Sequence, residues 1–278
     1  SQAYAASRNR LRPSDLAKRL GIPLEFARQQ VLDAVLLPSN EAPRAPLSPP
    51  SSDQLAAART NARAANVIAG PGTGKTSTLI HRIKYLVEEE GVDPGQILVL
   101  TFNNKAAFEL VERLRVAGIE NAADIWAGTF HAFGLEFLRK YHDRFSLEED
   151  PRVADALTSI TMLAAALPQL ELRHYLRVED PYDWLPSIVD GIKRLKEELV
   201  SPSSYRAYVL EHPEHDAEIQ CRRVDMASLY EAHEDLLRQR KMVDFVDLIA
   251  RPAQALKERR GIFSDLTDRF QHVLVDEY

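Results

Sequence analysis

The octet Ala69-Gly70-Pro71-Gly72-Thr73-Gly74-Lys75-Thr76 places three glycines, a lysine and two hydroxyls in one short stretch. Glycine-rich backbone leading into a helix presents free N–H groups and the positive end of a helix dipole to one point, an arrangement that suits a polyanion such as a triphosphate. In such a loop Lys75 reaches the β- and γ-phosphates and the Thr76 hydroxyl ligates Mg²⁺. The strict pattern opens with glycine where this chain has Ala69, while Gly70 and Gly72 keep backbone free to approach phosphate. At the far end of the chain, Val273-Leu274-Val275 runs into Asp276-Glu277. Asp276 is suited to hold the metal through its water shell, and Glu277 to accept a proton from an attacking water. Two further clusters carry aromatic and hydrogen-bonding groups, Thr101-Phe102-Asn103-Asn104 and Gly128-Thr129-Phe130-His131. Phe102 and Phe130 could stack on bases while Thr101, Asn104, Thr129 and His131 hold a single strand's backbone. Core packing is the alternative for each phenylalanine. Gln54, one helix upstream of the octet, has an amide that could pair with both a donor and an acceptor on an adenine edge.

These residues need strand tips and helix starts to hold them. Val67-Ile68 reads as a short strand before the loop, and Leu79, Ile80, Ile83, Leu86 and Val87 form the apolar stripe of the helix after it. Ile97–Leu100 is a continuous apolar run, expected of a strand buried on both faces of a parallel sheet. Its tip leads to a helix with Ala107, Leu110, Val111 and Leu114 inward, then to a strand near Ile125 to Ala127. Ligands of open α/β sheets gather at such carboxyl tips. A helix from Ser52 or Asp53 as cap runs through Leu55 and Ala58.

Elsewhere the text changes character. Residues 14 to 34 read as two short helices, capped by Ser14 and stopped at Gly21, with a spacing that resembles a helix-turn-helix or a plain helical hairpin. Prolines 38, 43, 46, 49 and 50 make a linker. Residues 143 to 241 read as all-helical: Ala154 to Leu167, Trp184 to Leu199 and Ala227 to Leu237, with Lys193, Arg194 and Lys196 as a basic patch. A last helix holds Phe245, Leu248, Ile249 and Ala253. The organisation expected is a helical unit (1–37), linker (38–50), an ATP-binding core in two parts (51–142 and 242–278) and a helical insertion (143–241).

Composition bounds these readings. A length of 278 residues and 45% hydrophobic content support a substantial core, and no run approaches a bilayer span. A soluble, cytoplasmic protein without membrane partners is expected. One cysteine excludes an internal disulfide and a multi-cysteine zinc site. The formal charge of −6 argues against a generally basic nucleic-acid binder, but residues 143–278 hold 27 acidic against 18 basic side chains, so the acidity lies mostly away from the motifs.

Taken in order, Gln54, AGPGTGKT, ILVLTFNNKAA, AGTFHAFGLEFL, MVDFVDLI and VLVDEY resemble the N-terminal half of a UvrD/Rep-type superfamily 1 DNA helicase over most of residues 48–278. Ile192-Lys193-Arg194-Leu195-Lys196 followed by Ser201-Pro202 is similar to that family's inserted subdomain. The resemblance implies an α/β fold of the P-loop NTPase (RecA-like) type, with a parallel sheet flanked by helices and an all-helical insertion. It implies an ATP- and Mg²⁺-dependent motor on single-stranded DNA in repair, replication or recombination. Gln54 would lie at adenine, the loop from Gly70 to Thr76 at phosphate, Thr76 and Asp276 at Mg²⁺, Lys75, Asp276 and Glu277 in catalysis, and Thr101, Phe102, Asn104, Thr129 and His131 at DNA. Asn103 departs from the family's usual Thr. The chain is expected to be a fragment that needs a second RecA-like domain and its arginine fingers for efficient hydrolysis and unwinding. Another class of P-loop ATPase, or a nucleotide-switched DNA-binding module without catalysis, remains the alternative.

Overall fold

Five consecutive apolar or β-branched residues, Ile97 to Thr101, are all buried, and they form the middle strand of a three-stranded sheet. This computed structural model describes residues 49–70, 72–175 and 180–276. The helical unit expected over 14–34, most of the proline linker, Pro71 and Glu277 lie outside the described residues. Elements are numbered from the first one described. Two compact units divide the chain, residues 1–133 with 260–278, and residues 134–259.

In the first unit, β1 (Ile97–Thr101) pairs in parallel with β2 (Trp126–Thr129) on one side and β5 (His272–Val275) on the other. The register sets Thr101 opposite Thr129 and Leu100 opposite Val275. Successive side chains of β1 face opposite ways, and both faces are covered. Ile97 and Val99 pack under Ile80 and Ile83 of α2 (Lys75–Lys84), Leu86 of the π-helical turn Tyr85–Glu89, and Leu110 and Leu114 of α3 (Asn104–Val116). Leu98 and Leu100 meet Phe270, Phe133, Trp126 and Leu266. The last of these belongs to α10 (Arg260–Arg269). This double coverage explains why the strand has no polar alternation.

The strand expected at Val67-Ile68 is not formed. Ile68 is 94% exposed, and β5 stands at the sheet edge. Two apolar residues preceded by Ala-Ala-Asn and followed by the glycine loop offer too little side-chain surface to fix a ladder register by themselves. Upstream, α1 (Ser52–Ala58) is capped by Ser51 rather than by Ser52 or Asp53, in a reciprocal capping box with Gln54.

The second unit contains α5 (Ala156–Ala166), α6 (Pro181–Glu197), α7 (Pro202–Glu211), α8 (Ala217–Gln239) and α9 (Asp247–Glu258), after α4 (Phe130–Lys140) crosses from the first. Leu163, Trp184, Leu185, Ile188, Ile192, Leu229 and Tyr230 form its core. The expectation that residues 143–241 are all helical is corrected here. β3 (Arg152–Ala154) pairs in parallel with β4 (Met242–Asp244). Strands of three residues are too short to show a period, so only their long-range pairing defines them.

Gly134 in α4 lies so close to α9 that an added Cβ would sit 1.6 Å from the Leu248 carbonyl oxygen. The obstacle is backbone and cannot rotate away. Gly134→Ala is therefore expected to destabilise this unit by about 3 kcal/mol or more in urea unfolding, well above the ordinary cost of a surface substitution.

The basic patch expected around Leu195 also divides. Lys193 and Arg194 are exposed and pair along the helix with Glu197 and Asp190. Lys196 instead is 5% exposed, with its Nζ 2.7 Å from each of Glu234 Oε1, Asp244 Oδ2 and Asp247 Oδ1. Its position on the inner stripe of α6 with Ile192 and Ile188 is the sequence signal for burial.

Candidate functional site

The glycine loop opens on α2, whose N-cap is Gly74 in a left-handed conformation, φ 86°, with no side-chain cap. Gly72 is also left-handed, φ 75°. Glycine adopts both without the steric cost that a Cβ would bring. The first N–H groups of α2 thus have no protein side chain closing them off, as an anion site requires. Thr73 ties the loop together by donating from Oγ1 to the Gly70 carbonyl at 2.7 Å. Lys75 is exposed, its Nζ 3.5 Å from the Ala69 carbonyl. Thr76 is half-buried one residue further on.

Gln54 is hydrogen-bonded at both ends of its amide, and one of these bonds is to the loop. Its Oε1 accepts from the Ser51 N–H at 3.0 Å, and its Nε2 donates to the Thr73 carbonyl at 2.9 Å. A Cβ on Gly74 would fall 2.7 Å from that same Nε2. The glutamine, the cap of α1 and the loop are therefore one hydrogen-bonded assembly.

Chain direction carries the loop to the strand tips. After α2 and its π-helical turn the backbone returns through the tight turn Pro94–Gln96 directly into β1. Helix and strand, packed through Ile80, Ile83, Ile97 and Val99, hence run oppositely. The amino end of α2 lies at the edge where the parallel strands end. Asp276 prolongs β5 at this edge, its N–H donating to the Leu100 carbonyl at 2.9 Å. Its carboxylate makes no hydrogen bond or ion pair among the described residues.

The two aromatic clusters occupy the same edge. Thr101 is wholly buried and donates from Oγ1 to the Asn103 carbonyl at 2.9 Å, which folds the turn after β1. Phe102 is 76% exposed at the apex of that turn, so core packing does not account for it. Asn103, whose role the sequence left unassigned, is the N-cap of α3, accepting from the Ala106 N–H at 2.8 Å. An Asn three residues before a helical N–H was the available signal. Asn104 is half-buried at the first turn of α3. Thr129 is buried, and its hydroxyl accepts from the Ala132 N–H at 3.1 Å at the start of α4. Phe130 is 37% exposed. Burial pushes the pKa of the His131 imidazole below its usual value. The two threonines thus spend their hydroxyls inside the protein, while Phe102 and Phe130 are exposed and Asn104 and His131 are half-buried at the same turns.

Residues 51–278 match a family model described as the UvrD/REP helicase N-terminal domain. The chain belongs to this family. It is 28% identical over 229 residues to the ATP-dependent DNA helicase PcrA of Staphylococcus aureus (strain NCTC 8325 / PS 47), 29% over 230 residues to that of Leuconostoc citreum, and 30% over 229 residues to that of Staphylococcus epidermidis. Each match covers 82% of this chain and 29% of the relative, so the chain spans under a third of the length of these UvrD/REP relatives. Among the described residues no helix is long and apolar enough to cross a membrane.

Proposed function

We propose that residues 51–278 form the first RecA-like motor domain, with a helical insertion, of an ATP-dependent DNA helicase that grips single-stranded DNA. The observation that carries this reading is Phe102, exposed at the carboxyl tip of a fully buried strand. A large apolar ring in that place has little to gain from the protein and much from a stacked base. The glycine loop stands at the same sheet edge. Lys75 and the uncapped amino end of α2 would take the β- and γ-phosphates of ATP. Thr76 and Asp276 would hold Mg²⁺, which supplies charge neutralisation for phosphoryl transfer, and Glu277 would orient and deprotonate the attacking water. Phe102, with Asn104 and His131, would meet the strand. Thr101 and Thr129 would serve DNA by shaping the turns that present these groups.

Adenine recognition by Gln54 would use its second Nε2 hydrogen and the spare lone pair of Oε1 while the bond to the Thr73 carbonyl persists. Occupancy of the base site would then be felt in the loop that holds the phosphates. The second RecA-like domain of the full-length protein is the partner expected to supply arginine fingers, which are worth roughly a thousandfold or more in turnover. Residues 1–278 alone are therefore expected to release phosphate slowly in a malachite-green assay, with or without DNA.

The test is a salt-dependent anisotropy titration of a labelled single-stranded oligonucleotide. Phe102→Ala is expected to weaken binding by roughly tenfold, given about 1–3 kcal/mol per stacked base, and to leave ATP-analogue binding unchanged. Equal DNA affinity of the two proteins would reject the DNA-gripping role of this turn.

A further inference from the structure

Within the second unit, the turn His142–Phe145 and side chains of α8 and α9 line a half-open cavity of about 340 Å³. Its wall holds four arginines, Arg144, Arg238, Arg251 and Arg259, against two carboxylates, Glu234 and Glu258. Glu234 is already committed, and Glu258 is partly so. Glu234 Oε1 is bonded to Lys196 at 2.7 Å and its Oε2 lies 3.8 Å from Arg251, while Glu258 Oε1 accepts from Gln254 at 2.9 Å.

The arginines are less fully used. Each guanidinium offers five N–H donors in a planar fork. Arg259 donates one to the Arg144 carbonyl at 2.9 Å and lies 5.0 Å from the Phe145 ring centre, which fixes its plane. Arg251 is held by Asp247 at 3.1 Å, and Arg238 by the exposed Asp235 at 2.5 Å. The Arg144 side chain makes no hydrogen bond or ion pair among the described residues. The wall therefore has spare donors, most of all on Arg144, while Glu258 is the one lining carboxylate that no cation pairs among the described residues. Leu147 and Ala255 add an apolar stretch to the same wall.

We propose that this cavity binds a phosphate monoester, separately from the glycine loop. A monoester near neutral pH carries about −1.5 to −2 charge and only acceptor oxygens, which matches the spare guanidinium donors. The space exceeds a bare phosphate and leaves room for an organic group beside Leu147. The phosphorylated end of a nucleic-acid strand and a free nucleoside monophosphate share this chemistry.

The experiment uses the full 278-residue chain carrying Lys75→Ala, so that the glycine loop contributes little, with and without the mouth variants Arg144→Gln and Arg238→Gln. Both arginines are exposed, and circular dichroism checks the fold; Arg144→Gln alone, which removes no internal contact, serves if the double variant is unstable. Arg194→Gln, on a different helix, is the control. AMP binding by calorimetry, and anisotropy of 5′-phosphorylated and 5′-hydroxyl oligonucleotides of one sequence, are the readouts. The mouth variants are expected to weaken AMP or the phosphorylated strand by roughly ten- to a hundredfold. A preference for the 5′-phosphorylated over the 5′-hydroxyl strand that the mouth variants abolish identifies a strand end as the source. AMP binding with no such preference identifies the free nucleotide. No binding of either phosphate, or binding that the mouth variants leave unchanged, overturns the proposal. Phe102→Ala, measured alongside, reports on the DNA turn and is independent of this outcome.

Discussion

Lys196→Met is expected to lower the stability of the 134–259 unit by about 3–5 kcal/mol, the usual result of deleting one partner from a buried ionic cluster. Lys196 sits 2.7 Å from three carboxylates, two of them on β4 and α9 and one on α8. Burial by itself would lower its pKa, but Asp247, Asp244 and Glu234 outweigh that and raise it, so the ammonium stays charged throughout the physiological range. Without it, only Arg251, 3.1 Å from Asp247 and 3.8 Å from Glu234, remains beside three acids. The cluster also has a pH signature. Burial works to raise the Glu234 carboxyl, yet the His233 ring, its Nδ1 3.5 Å away, and the charge of Lys196 bring it from an ordinary 4.5 down to about 2. A depressed acid contributes stability above its unfolded value and loses it as pH falls through the folded one. The loss therefore falls between about pH 4.5 and 2 and amounts to up to about 3 kcal/mol. Asp247 opposes this, because burial holds its carboxyl above the ordinary value. Urea unfolding followed by Trp184 fluorescence in a Trp126→Phe background measures both effects, and the acid slope in that window should flatten in Lys196→Met. Unchanged midpoints would show that the cluster is not a stabilising tie.

The second large effect belongs to the glycine loop. Lys75→Ala is expected to weaken ATP-analogue binding by roughly ten- to a hundredfold, the value of a charge-assisted bond to phosphate at about 1.5–3 kcal/mol. The substitution should leave the thermal midpoint of the free protein unchanged. Lys75 is exposed and its one hydrogen bond, to the Ala69 carbonyl, is 3.5 Å long, so little of the fold depends on it. Loss of affinity without loss of stability distinguishes a ligand-directed lysine from a structural one.

The strand at 97–101 and the helices on either side were legible because burial on both faces leaves an unbroken apolar run and a clear three-and-four stripe. The parallel sheet followed from that run. Val67-Ile68 misled because a strand's existence depends on a partner edge, and two residues carry no information about one. β3 and β4 were hidden for the same reason. At the candidate site, residue types were legible and their partners were not. Thr101 and Thr129 read as surface hydroxyls, yet both are spent on turn geometry. Gln54 read as a free amide, yet both ends are bonded. Lys196 read as one of three neighbouring cations, and only its helical phase with Ile192 separates it from Lys193 and Arg194. Charges that cancel across 38 to 51 residues of sequence leave no local mark.

The central claim is that the glycine loop and the acidic tip of β5 share one Mg²⁺-bound triphosphate. Binding of a fluorescent ATP analogue to the 278-residue chain, titrated with and without Mg²⁺, tests it on a single pair of proteins. In the unaltered chain Mg²⁺ should tighten binding, and Asp276→Asn should remove most of that tightening while metal-free affinity stays the same. An equal response to Mg²⁺ in both proteins would contradict the account.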